Sequence, residues 1–313
     1  MLRVFASLVL AAAVLAPAAA AEPLRISTLS LTNESFLRGV ADGKPVTITG
    51  ELEFPARADG PAPVVVLLHG AGGLEGFHAT WAREIRSVGF ATLLLDSFSG
   101  RSAAKIMDQM EAVSLPSRVV DAYRALAALA AHPKIDRARI VYMGFSHGAA
   151  AGIPASQRRF AKAFGTPDAE FAGWLLFYPF CNVRFNGDEQ VVARPMRIFH
   201  GAADDWTPIA TCRGSVERLR AAGADVVLHE YPDAYHTFDN PRHGSMNRQP
   251  NAMNPARCFY EERAGFVMVN VDTGKEMSFR DPCWTRGVTT GYSPAAHAAS
   301  TAAVKDFLTK LAR

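Results

Sequence analysis

Residues 140–152 read IVYMGFSHGAAAG. A run of β-branched and aromatic residues ends at Gly144, a serine follows at position 146, and small residues take over from Gly148. The apolar run reads as a strand covered on both faces. The small residues after it read as a helix packed closely against that strand. Gly144-Phe145-Ser146-His147-Gly148 is then a tight strand-to-helix turn. Its glycines stand where Cβ atoms would collide, and it lifts the serine hydroxyl above a helix N-terminus. A bare G-x-S-x-G is a weak signal; the strand before it and the helix after it give it weight.

On both sides of this turn, apolar runs alternate with helical patterns. Residues 63–70, 91–96, 173–180, 196–204 and 225–232 read as buried strands, and 46–54 alternates like a strand with one exposed face. Helical spacing recurs over 78–90, 117–132, 212–223 and 296–312. Strands separated by helices need crossover connections, which build a mainly parallel, doubly wound sheet with helices on both faces. The N-terminal strands, joined without helices, form its antiparallel edge. The stretch 239–291 departs from this pattern, being rich in Asn, Pro, Arg, Gly and Met. It reads as a late insertion, with a hairpin over 265–281 turning at Asp272-Thr273-Gly274.

Of 313 residues, 49% are hydrophobic and 20% charged, enough for a sizeable core, and the formal charge of +3 without a basic stripe argues against a nucleic-acid partner. Residues 1–21 carry Arg3, an apolar stretch from Val4 to Leu15 and the small residues Ala19 to Ala21. They read as a secretory signal peptide, leaving 22–313 as one domain in the periplasm or outside the cell. No later segment is long and apolar enough to span a bilayer. Four cysteines and no C-x-x-C pair argue for disulfides and against a zinc site. Of three possible pairings, Cys258–Cys283 with Cys181–Cys212 is expected, because the first staples the late insertion.

A serine nucleophile needs a base, and the base needs an orienting carboxylate, supplied after later strands in the order Ser, Asp, His. His236 follows a strand directly and lies in a loop. His229 sits inside a strand pattern, His243 in the insertion and His297 on the last helix. The loop after 196–201 offers both Asp204 and Asp205, which spacing leaves open. Oxyanion donors are expected from the backbone N–H of His147 and from Ala71 or Gly72 in the glycine-rich loop LLHGAGGLEG. Phe98, Arg101, Tyr178, Phe180 and Trp206 end strands or begin loops on the same side and are candidate pocket residues. Arg101 could hold a substrate carboxylate, but a solvated or structural arginine is the reading favoured for it.

LLHGAGGLEG, LLLDSFSGR, GFSHGAA, FHGAADDWTP, YPDAYHTF and GYSPAAHAA together resemble the dienelactone hydrolase family of α/β-hydrolases, in the family's order across most of the chain. The resemblance implies the α/β-hydrolase fold, with Ser146 as nucleophile, Asp204 rather than Asp205 as acid, and His236 as base. The namesake enzymes carry cysteine where this chain has Ser146, and the compact members lack the insertion. The reaction expected is hydrolysis of a small-molecule carboxylic ester or lactone through an acyl-enzyme, with no metal or organic cofactor. The alternatives are a serine peptidase of prolyl-oligopeptidase type and a non-catalytic binding protein on a hydrolase fold.

Overall fold

The computed structural model of the protein describes residues 21–58 and 60–313. The signal peptide expected over 1–21 lies outside the described residues, apart from the exposed Ala21. The chain begins with β1 (Glu22–Ser30), α1 (Asn33–Arg38), β2 (Lys44–Glu53), β3 (Ala62–Leu68), α2 (Gly76–Arg86), β4 (Ala91–Asp96) and α3 (Leu115–Ala130). It continues through β5 (Ile135–Phe145), α4 (His147–Ala155), α5 (Arg158–Phe164), β6 (Phe171–Phe177), β7 (Val183–Arg184) and β8 (Met196–Gly201). The last part holds α6 (Ile209–Ala221), β9 (Val226–Tyr231), β10 (Asn247–Asn254), β11 (Tyr260–Arg263), β12 (Val267–Asn270), β13 (Thr285–Thr290) and α7 (Pro294–Leu311).

Among the described residues, eight strands form the central sheet in the order β1-β2-β4-β3-β5-β6-β8-β9. β1, β2 and β4 pair antiparallel, and every pairing from β4 to β9 is parallel. This is the α/β-hydrolase fold, with the expected antiparallel edge at the N-terminus, although the short helix α1 joins β1 to β2 where a helix-free connection was expected. Val64 to Leu68 have no exposed surface, as a strand covered on both faces requires. One apolar layer packs α3 and α4 beneath the sheet, and another packs α2 and α7 above it. Helix starts carry ordinary caps: Ser114 Oγ accepts from Ser117 N ahead of α3, and Ser293 Oγ accepts from Ala296 N ahead of α7. No helix among the described residues is long and apolar enough to cross a membrane.

The region 239–291 differs in detail from expectation. Its main hairpin is β11–β12, turning at Ala264-Gly265-Phe266, where Gly265 and Phe266 both take positive φ. The chain also turns at 271–274, but the return makes only one isolated bridge, Val269 to Glu276. The expected turn at Asp272-Thr273-Gly274 is present, with Asn270 N donating to Lys275 O and Met277 N to Met268 O, both at 2.8 Å. The longer pairing of 267–270 is with β11, Tyr-Glu-Glu-Arg, which is three-quarters charged and carries no strand pattern. β11 also pairs with β7, tying the insertion to the loop after β6. Disulfides join Cys181 to Cys212 and Cys258 to Cys283.

Candidate active site

Ser146 stands between β5 and α4 with φ 49° and ψ −113°, a conformation strained for any residue with a side chain. A Cβ at Gly144 would lie 2.5 Å from Gly148 O, and one at Gly148 would strike Leu68 O and His69 O. Both glycines of the turn are therefore required by backbone contacts. Ser146 N donates to Phe177 O at 2.9 Å and Ser146 O accepts from Ala150 N at 2.7 Å, so the strained residue is held from both sides.

His236 lies in the loop after β9 and is fully buried. Its Nε2 is 2.8 Å from Ser146 Oγ and its Nδ1 is 2.7 Å from Asp204 Oδ2. Asp204 follows β8. Its Oδ1 accepts from Trp206 N and Thr207 N, both at 2.9 Å, and its Oδ2 also accepts from Thr207 Oγ1 at 2.9 Å. Burial pushes the Asp204 carboxyl up. The charge and hydrogen bond of His236, with His200 and the Thr207 N–H, outweigh that and hold it below its ordinary value. Asp204 is thus kept as an anion facing His236 Nδ1. Asp205 is turned away: it accepts from Thr289 N at 2.7 Å and Thr289 Oγ1 at 2.8 Å, and so fastens β13 to the loop.

On the far side of Ser146, a turn closed by Gly73 N donating to Gly70 O leaves the N–H groups of Ala71 and Gly72 outside its own bond. Gly70, Ala71 and Gly72 line a cavity together with Ser146 and His236. His147 supplies the first N–H of α4, directly after the serine. Its imidazole is half-buried in a cavity wall, and desolvation lowers its pKa to about 3, so the ring is neutral.

Of the candidate pocket residues, Trp206, Tyr178 and Phe180 line cavities that include Ser146. The Trp206 and Tyr178 rings pack on His236 at centroid distances of 4.8 and 4.6 Å. Arg101 and Phe98 do not reach the site. Arg101 makes a buried ion pair with Asp121 at 2.8 Å and donates to Leu29 O and Ser97 O. The carboxylate of Asp121 is fully buried in α3 and needs that counter-charge, so Arg101 is a structural cation. Phe98 packs edge-on against His69 and beneath Arg118, behind the turn at Gly70–Gly73.

His229 stacks on Phe199, and His297 sits on α7 beside Tyr292. His243 lines the cavity and bonds Thr237 Oγ1 at 2.7 Å. Two residues of the site carried no sequence signal. Thr207 braces Asp204. Asp239 is buried and accepts from Tyr178 Oη at 2.8 Å and Trp81 Nε1 at 2.7 Å, so it fixes the ring that packs on His236. Burial raises its carboxyl pKa against those two donors. Among the described residues no group of three or more His, Cys, Asp or Glu side chains is placed to hold a metal ion.

The dienelactone hydrolase family model matches residues 48–261, more than half of the chain. The chain belongs to the dienelactone hydrolase family. The solved structures similar to it include a dienelactone hydrolase-like promiscuous phosphotriesterase from metagenomic libraries, 19% identical, TM-score 0.58, covering 93% of this chain and 99% of that one. A putative dienelactone hydrolase from Klebsiella pneumoniae is 14% identical, TM-score 0.57, covering 92% and 99%. A thermophilic esterase from Thermogutta terrifontis is 19% identical, TM-score 0.50, covering 62% and 79%. At these identities the likeness is one of fold. None of the curated proteins is a significant match. As a family member the chain is a hydrolase acting on small molecules.

Proposed function

We propose that the protein hydrolyses carboxylic esters or lactones through Ser146, His236 and Asp204. The observation that carries this reading is the continuous chain Ser146 Oγ–His236–Asp204, with links of 2.8 and 2.7 Å, opening on a cavity. In the proposed reaction, Ser146 Oγ attacks the acyl carbon as His236 Nε2 takes its proton. Asp204 holds the Nδ1–H tautomer and stabilises the imidazolium. The N–H groups of His147 and of Ala71 or Gly72 receive the oxyanion. His236 returns the proton to the departing alcohol. It then draws a proton from the water that attacks the acyl carbon and passes that proton to Ser146 Oγ as the acyl–Oγ bond breaks, which releases the acid and restores the serine.

The proposal extends to one exported catalytic domain, 22–313, with the insertion as a fixed wall of the site. Two disulfides fit an extracellular protein. Both ends of the insertion lie at the base: Asp239 follows His236 by three residues, and Gly291 N donates to His236 O at 3.1 Å. Trp206 Nε1 donates to Met253 O at 2.9 Å, and Met253 N to Met107 O at 2.8 Å, so β10 is tied across the mouth. Reaction of the purified protein with a fluorophosphonate, and loss of ester turnover in Ser146→Ala, test the reading. Unchanged turnover in that variant would refute it.

A further inference from the structure

Two cavities of about 190 Å³ each meet at Ser146, and Trp206 stands between them. Their linings differ in chemistry. The first contains the aromatic rings of Phe180, Tyr260, Phe279 and Trp284 with Met277 and Leu115, and no Asp, Glu, Lys or Arg lines it. The insertion supplies most of these. Tyr260 and Trp284 stand two residues after Cys258 and one after Cys283, so the disulfide holds both rings in place. Their polar ends are used among themselves: Trp284 Nε1 donates to Tyr260 Oη at 2.8 Å, and Tyr260 Oη donates to Asp281 at 3.1 Å. The second cavity is the more polar of the two: beside Phe77, Met107, Phe145 and Tyr178 it holds the oxyanion loop, His236, and the polar side chains of Glu75, Thr237, His243 and Gln249.

The position of the base decides which half of an ester enters which cavity. His236 must reach the leaving oxygen to protonate it and must later reach the attacking water. It lines the polar cavity and not the aromatic one. The alcohol and the water therefore occupy the polar side, and the acyl group extends into the aromatic side. A cavity of roughly 150 Å³ accepts one benzene ring, so this one has room for a ring and a short linker. With no cation in its lining, a carboxylate on the acyl group would lose its hydration without compensation.

Resting on the hydrolase reading above, we infer that the preferred substrates are esters of an uncharged arylalkanoyl group with a hydroxyl-bearing alcohol. The aromatic cavity of the insertion binds the acyl ring, and Gln249 and Glu75 bind the alcohol, while His243, held through both ring nitrogens by Thr237 and Asn240, walls that side.

The test measures kcat/KM of the mature protein on ethyl acetate, ethyl 3-phenylpropanoate, ethyl hydrogen succinate and the glycerol monoester of 3-phenylpropanoate, with fluorophosphonate labelling of Ser146 in parallel. The 3-phenylpropanoate should exceed the acetate by about tenfold or more, and the hydrogen succinate should be the poorest. The glycerol ester should exceed the ethyl ester. Phe279→Ala should lower the ratio of 3-phenylpropanoate to acetate, and Gln249→Leu the ratio of glycerol to ethyl ester. Labelling of Ser146 with acetate or hydrogen succinate preferred would overturn the inference and leave the hydrolase reading standing. Absence of both labelling and turnover would overturn both.

Discussion

Replacing Asp204 by asparagine should remove the correct tautomer of His236 while leaving the fold in place. The size of the effect follows from the donors around the carboxylate. Oδ1 accepts two backbone N–H groups, from Trp206 and Thr207, so only an oxygen can occupy that position. The carbonyl of asparagine must therefore point there, and its NH2 must take the place of Oδ2, 2.7 Å from His236 Nδ1. An N–H facing Nδ1 makes that nitrogen an acceptor and moves the ring proton to Nε2. His236 then presents N–H to Ser146 Oγ and cannot take its proton. The same tautomer reversal in other serine hydrolases lowers kcat by about 10⁴, or about 5.5 kcal/mol of transition-state stabilisation. Steady-state kinetics should show a fall of on the order of 10³–10⁴ in kcat for Asp204→Asn, with the far-ultraviolet circular dichroism unchanged. Asp205→Asn touches only the Thr289 and Arg248 contacts and should cost far less. A loss of under about tenfold for Asp204→Asn, or a larger loss for Asp205→Asn, would refute this reasoning.

The Cys258–Cys283 disulfide closes a sequence separation of 25 residues, a constraint worth about 3.5 kcal/mol in the chain-entropy model. Replacing both cysteines with serine should lower the melting temperature by several degrees and change the ranking of small against bulky esters, while Ser146 still reacts with the probe; an unchanged ranking would separate the insertion from specificity. Acid should destabilise the fold from about pH 6.5 downward, because desolvation lowers His78 and His147 from 6.5 to about 3 and also lowers His69. Between those values the unfolded chain binds protons that the folded chain refuses, so stability falls with pH at about 2.7 kcal/mol per unit for His78 and His147 together. Urea unfolding at pH 7, 6, 5 and 4 reads that slope, and His78→Gln should reduce it by one proton; a flat profile would show these rings to be protonated in the fold.

The order of strands and helices was legible because the sheet is buried on both faces, so its strands are long apolar runs bounded by glycine and proline. The elements that escaped are the short or polar ones. β1, EPLRISTLS, alternates on an edge with few buried positions, and α5, RRFAKAF, is only seven residues long. The positions of Ser146, Asp204 and His236 were readable because each sits at the end of a buried strand, where a parallel sheet places its loops. Arg101 and Phe98 follow an equivalent strand end, but Phe98 packs inward against His69, and Arg101 turns toward the edge of the sheet, where Asp121 is buried. Nothing local in the sequence announces that pairing, which joins residues 20 apart through the fold. Thr207 and Asp239 act through hydrogen bonds to groups whose proximity exists only once the sheet has formed.

The most direct measurement of the central claim is mass-spectrometric mapping of the fluorophosphonate adduct on the folded protein, made beside ester turnover in the same preparation. The account predicts a single adduct on Ser146, blocked turnover in the labelled protein, and neither adduct nor turnover in Ser146→Ala. An adduct on another serine, or full turnover in Ser146→Ala, would contradict it.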